Sequence, residues 1–144
     1  MRIKRFILTL AFVLISAGMA HADLEGYLQS LNISAEGDIG EFRTQLGVHF
    51  GASGPQVNLV LRSVDHPADA AVCLWLAEHA DQPVERVVRE YSSYKGQGWG
   101  ALAKSLGIKP GSAEFKALKQ GNLGWEPGSG DGRNKEKGKG KRHD

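Results

Sequence analysis

Cysteine occurs once in this chain of 144 residues, at Cys73, so no internal disulfide can form. A domain of this size must then be held together by packing alone. Long apolar runs are just as scarce. Phe6 to Ala17 spans twelve residues, short of the roughly 20 that cross a bilayer, and no later stretch approaches that length. Beyond His21, the histidines His49, His66, His79 and His143 are scattered, with no pair four residues apart and no CxxC, so metal-ligand spacing is missing. There is no G-x-S-x-G nucleophile elbow and no Gly-Lys-Ser/Thr phosphate loop. Cys73 sits in strongly apolar sequence, where a buried, inert thiol is expected. These absences point away from an enzyme, from bound metal and from any cofactor.

The amino-terminal residues are informative. Arg2, Lys4 and Arg5 precede the apolar run, and Ala20-His21-Ala22 has the small-x-small pattern of a signal-peptidase site. We expect a signal peptide over 1–22, cleavage after Ala22, and an exported protein, periplasmic or secreted, with no transmembrane segment after cleavage. The residue directly after the site is Asp23 rather than cysteine, so a lipoprotein anchor is not expected. The remaining chain carries fifteen basic and sixteen acidic residues, a net charge of −1. That charge is unevenly spread: Asp23 to Trp125 is acidic at −3, and Glu126 to Asp144 is basic at +2.

Apolar residues recur at helical intervals along the expected domain, 23–125. Leu24, Tyr27, Leu28 and Leu31 predict a short first helix, broken by Asn32 and Gly37. Ile39, Phe42, Leu46 and Phe50 predict a second, although Thr44, Leu46, Val48 and Phe50 also alternate as a strand would. Val57, Val60, Leu61 and Val64 follow the loop "GASGP". "DHPAD" and "DQPVE" both read D-x-P-x-acid; proline suits a first helical turn and acids suit the positive end of the helix dipole. Their acids are therefore taken as marks of helix starts rather than as a catalytic pair. "PADAAVCLWLAEHA" is apolar around most of its circumference and predicts a central helix. In the next, Val84, Val87, Val88, Tyr91 and Tyr94 share the inner face. Trp99 to Leu106 and Ala113 to Gln120 complete the set, with Gly107 and Gly121 as terminators and Ser112 as a cap. The predicted fold is all-α, a small orthogonal array of six or seven short helices. From Glu126 the composition turns to Gly, Lys and Arg and predicts a disordered basic tail over 126–144, whose positive charge gives weak, salt-sensitive attraction to anionic envelope components.

One stretch tests this reading. In "YKGQGWGALAKSLGIKPGSAEF", Gly96, Gly98 and Ala101 match the G-x-G-x-x-G/A dinucleotide fingerprint. That fingerprint needs a strand before it, and here an amphipathic helix is expected. Ala103, Gly107 and their apolar neighbours also resemble a helix-turn-helix, but Lys109-Pro110-Gly111 lengthens the turn and the next helix offers only Lys116, Lys119 and Gln120 for base reading. No DNA partner is expected, least of all for an exported chain. Two readings remain for the tryptophans. A disulfide-free domain needs aromatic area inside, which favours Trp99 and Trp125 as core. Exposed, they would form with Lys95, Lys104 and Lys109 an aromatic and basic surface for a glycan, peptide or other partner.

The run from Pro67 to Gly121 resembles a family of small exported proteobacterial proteins of unknown function. In these a similar helix pair leads into K-G-x-G-W-G-x-x-A-K-x-L-G-I-K-P-G-S-x-E-F and a Gly/Lys-rich tail. The likeness covers most of the chain after residue 22, and Lys95 to Phe115 is its most specific part. It implies an exported helical protein and brings no activity, ligand or catalytic residue with it. This chain departs at Lys116, where similar sequences carry histidine. The expectation from sequence is a non-catalytic envelope interaction module; a glycan- or peptide-binding module or enzyme using the Trp99 and Lys104 surface is the alternative.

Overall fold

The computed structural model describes residues 23–128. The expected signal peptide, and the expected tail beyond Gly128, lie outside the described residues. Among the described residues seven helices follow one another: α1 (Leu24–Gly37), α2 (Ile39–Phe50), α3 (Gly54–Ser63), α4 (Pro67–His79), α5 (Val84–Ser93), α6 (Trp99–Ser105) and α7 (Ala113–Gln120). Among the described residues there is no strand, so the alternation at Thr44 to Phe50 belongs to α2. The fold is all-α, and no described helix is long and apolar enough to cross a membrane.

Every residue of α4 from Ala68 to Ala77 is buried. Its alanines and medium-sized apolar side chains leave no polar face, and it packs against α1, α2, α3 and α5. Cys73 is wholly enclosed here, and burial pushes its thiol well above the ordinary cysteine range, as befits an inert core residue. Helices α6 and α7 pair with each other, α6 resting on α5 and α7 on α1.

Short polar side chains set most of the helix starts. Asp23 accepts from the Gly26 N–H at 2.9 Å and Asp38 from the Glu41 N–H at 3.0 Å. Ser53 and Gln56 form a reciprocal capping box at α3. At α4 the arrangement differs from the sequence expectation. His66 occupies the N-cap without bonding through its side chain, and the Ala68 N–H instead donates to Asn32 Oδ1 at 2.9 Å. Asn32 therefore does not break α1, which runs on to Gly37; it caps a second helix from within the first. Proline likewise takes different places in the two D-x-P-x-acid segments, with Pro67 inside α4 and Pro83 at the N-cap of α5.

After α7 the chain doubles back. Leu123 and Trp125 are buried, Tyr27 Oη donates to the Trp125 carbonyl, and the Gly128 N–H donates to Gln45 Oε1 at 3.2 Å. Residues 126–128, placed in the tail by composition, thus lie against the helical body. Gly121 makes the return possible: its φ is +69°, and a Cβ there would lie 2.8 Å from both the Asp23 carbonyl oxygen and Tyr27 Cβ. Asp81, ending α4 with φ +51°, is the one described non-glycine residue with positive φ. Its N–H and that of Gln82 bond back to Glu78 and Ala77, a Schellman closure that ordinarily uses glycine.

These two left-handed positions predict opposite outcomes. Gly121→Ala meets both the left-handed penalty and the backbone of α1, and should lower stability by at least about 2 kcal/mol. Asp81→Gly removes a similar conformational penalty with nothing in its way and should raise stability by about 1 kcal/mol. Urea unfolding of the two variants measures both; a neutral Gly121→Ala would mean that the α7–α1 junction is not closely packed.

Candidate functional site

Tyr91 stands on the inner face of α5 because Val84, Val87 and Val88 point the same way and bury it. Its hydroxyl meets the start of α4. Tyr91 Oη donates to Asp69 Oδ2 at 2.7 Å and accepts from the Asp65 N–H at 3.2 Å. Asp69 is the one buried charged residue among those described. Burial holds its carboxyl above the usual carboxylate range, opposed by the Tyr91 hydrogen bond, the charge of His66 and a His66 backbone hydrogen bond. The Tyr91 phenol is also pushed up, first by burial and then by the neighbouring carboxylates, so it acts as a proton-bearing donor. Asp65 is exposed and shifts the other way, its carboxyl held low chiefly by the hydrogen bond from Lys95 Nζ at 2.7 Å.

Around this polar centre the loop joining α5 to α6 builds a cleft. Gly96 and Gly98 have φ of +81° and +86°, a left-handed backbone that turns the chain between Lys95 and Trp99. The Trp99 ring lies 5.6 Å from that of Tyr91, and Lys95 Nζ stands 5.7 Å from the Tyr91 centroid. Asp65, Asp69, Tyr91, Tyr94, Lys95 and Trp99 are among the residues that enclose about 180 Å³. Beyond Trp99 lies a wider, shallower cleft of about 530 Å³, lined on one side by Lys104, Phe115 and Lys119 and on the other by Leu24 and Glu25. Gly100 of α6 faces the Phe115 ring, and Lys119 Nζ stands 5.5 Å from that ring's centroid.

The five residues proposed from sequence as a partner surface are therefore divided. Trp99 is half-buried and borders both clefts, with Lys95 on the smaller and Lys104 on the larger. Lys109 is exposed at the turn between α6 and α7. Trp125 does not join them: only 8% exposed, its ring centroid lies 5.4 Å from Phe42, 5.8 Å from Phe50 and 5.9 Å from His49, and it serves as core. The glycines of the dinucleotide-like pattern follow α5, a helix, rather than the strand that pattern requires. Among the described residues no group of three or more His, Cys, Asp or Glu side chains is placed to hold a metal ion.

Sequence reasoning missed Asp65, Asp69 and Tyr91 as lining residues. It assigned the two acids to a helix start and the tyrosine to an inner face; Asp69 does stand in the first turn of α4 and Tyr91 on the inner face of α5, whereas Asp65 precedes the N-cap and binds Lys95. The available signal was the lone acid inside "PADAAVCLWLA", since a carboxylate enclosed by such a run needs a partner. No protein-family model, curated protein or solved structure matches this chain.

Two stability measurements follow. Tyr91→Phe leaves Asp69 without its hydroxyl donor and should cost about 1–3 kcal/mol. The folded-state pKa of Asp69 lies above its unfolded value near 3.8, so the folded chain binds this proton more tightly. Its contribution to stability therefore falls as pH rises from the unfolded value through the raised folded one, then levels off. Asp65, held low, has the opposite sign: its contribution is present above the unfolded value and is lost as pH falls through the folded one. Asp69→Asn should abolish the fall with rising pH in urea titrations run from about pH 3 to about pH 7; an unchanged fall would assign it to another group.

Proposed function

We propose that this protein is an exported, non-catalytic binding module that engages a glycan or peptide component of the cell envelope through the face built around Trp99. The observation that carries the reading is the position of Trp99, half-buried at the border of two concave clefts, with Lys95 on one side and Lys104 on the other. An indole in that position offers both a flat apolar surface and an N–H, the combination that sugar rings and peptide chains use. The larger cleft falls within the range of ligand sites, about 300–1,000 Å³.

A non-catalytic role is supported by how the reactive groups are engaged. Asp69 and Tyr91 bind each other, the Tyr91 phenol is held protonated, and Cys73 is sealed in α4. Export is supported by the basic start, the apolar run and the Ala20-His21-Ala22 site. Asp23, which would be the first residue after cleavage, is itself the N-cap of α1. Cleavage at that point leaves all seven helices and their caps intact. The basic segment from Arg133 to Arg142 adds weak attraction to anionic envelope polymers, and the motif from Lys95 to Phe115 relates the chain to the exported family it resembles.

Co-sedimentation with envelope fractions tests the reading. Trp99→Ala, shown by its thermal melt to be folded, should lower capture at least about tenfold. Deletion of 129–144 should remove only the part that high salt also removes. Protein recovered from the periplasm should begin at Asp23. Capture of Trp99→Ala at the wild-type level would sink the proposal.

A further inference from the structure

The smaller cleft has a chemistry of its own. Its lining brings two carboxylates, Asp65 and Asp69, together with the Tyr91 and Trp99 rings and the Tyr94 side chain. Against the two acids stands one ammonium, that of Lys95; His66 adjoins both acids. Lys95 already shows what this surroundings accepts, because its Nζ lies 2.7 Å from Asp65 Oδ1 and 5.7 Å from the centre of the Tyr91 ring. Carboxylates and aromatic faces together favour a cation over an anion or a neutral group.

Lys95 is also loosely held. Its side chain is 47% exposed and that of Asp65 55% exposed, and ion pairs this exposed contribute little to stability. Rotation of the flexible lysine stem is enough to part such an exposed pair.

We propose that this cleft binds a primary ammonium group, free or carried on a peptide side chain, which seats over Tyr91 and Trp99, pairs with Asp65 and Asp69, and displaces Lys95. A cavity of about 180 Å³ suits an aminoalkyl group of a few carbons and is smaller than the about 300 Å³ at which drug-sized sites begin. The proposal rests on the Trp99 face being a binding surface and names the ligand chemistry of one side of it.

Titration of the full chain with n-butylammonium, n-butanol and butyrate, followed by the Trp99 indole N–H resonance, separates charge from shape. Butylammonium should saturate in the range of about 1 mM, with butanol and butyrate at least about tenfold weaker. Lys95→Met removes the internal competitor and should tighten butylammonium about three- to fivefold. Asp69→Asn should weaken it at least about tenfold. Because Asp69 is buried, a second comparison uses exposed positions alone: Asp65→Asn placed on Lys95→Met should reverse the gain. A capped Gly-Lys-Gly peptide that outcompetes butylammonium identifies a side chain as the natural source, and the reverse identifies a free amine. Equal binding of butanol and butylammonium, or a Lys95→Met variant that binds no more tightly, overturns the proposal. Ammonium binding without envelope capture would remove the broader reading and leave this one standing, and capture without ammonium binding would do the opposite.

Discussion

The arrangement depends on one constraint: α4 has no polar face, so other helices must cover it on every side. Enclosing a helix this way also encloses its first turn, where backbone N–H groups have no partner within the helix. The chain meets that need from a distance. Asn32, one turn before the end of α1, supplies the carbonyl oxygen that the Ala68 N–H lacks. Asp69, drawn inside with the same turn, finds its donor in Tyr91 of α5. A buried carboxylate without such a donor would cost more than the hydrogen bond itself contributes, because the desolvation of the group would go uncompensated.

The Trp99 cleft is a consequence of that requirement. Tyr91 must turn its hydroxyl toward Asp69, and in doing so leaves one region of its ring for Trp99 and another for Lys95. The Gly96–Gly98 loop then has only to carry the chain around this ring. Structural need and the proposed binding surface therefore share the same residues, and a change at Asp69 or Tyr91 touches both. Away from the cleft lining, Trp125 closes the fold by packing on Phe42 and Phe50. Two tryptophans that look alike in sequence thus differ in role, because only Trp125 is enclosed by the aromatic rings of α2.

Local chemistry made much of the fold legible. Helical spacing located each helix, and the loop before α3, Ser112, Gly107 and Gly121 marked ends where capping or a left-handed turn was needed. Errors arose where a residue serves an element distant in sequence. Asn32 looked like a helix breaker because its side chain competes with local backbone, yet here that capacity is used across 36 residues. Asp81 takes a left-handed conformation usually left to glycine, and nothing around it in sequence announces that. Of the cleft's members, Lys95 and Trp99 were read as a candidate partner surface, whereas Asp65, Asp69 and Tyr91 were assigned to local duties.

Sequence by itself determined that this chain builds an all-helical domain around α4, because amphipathic period, capping side chains and turn glycines act over a few residues. It also determined that Cys73 has no partner with which to form a disulfide within the chain. Tertiary structure alone decided that Asp65, Asp69, Tyr91, Lys95 and Trp99 meet, and that Trp125 does not join them. The physical reason is that these contacts bridge segments whose relative placement follows from how four helices enclose a fifth, a property of the packed whole that no single stretch of chain encodes.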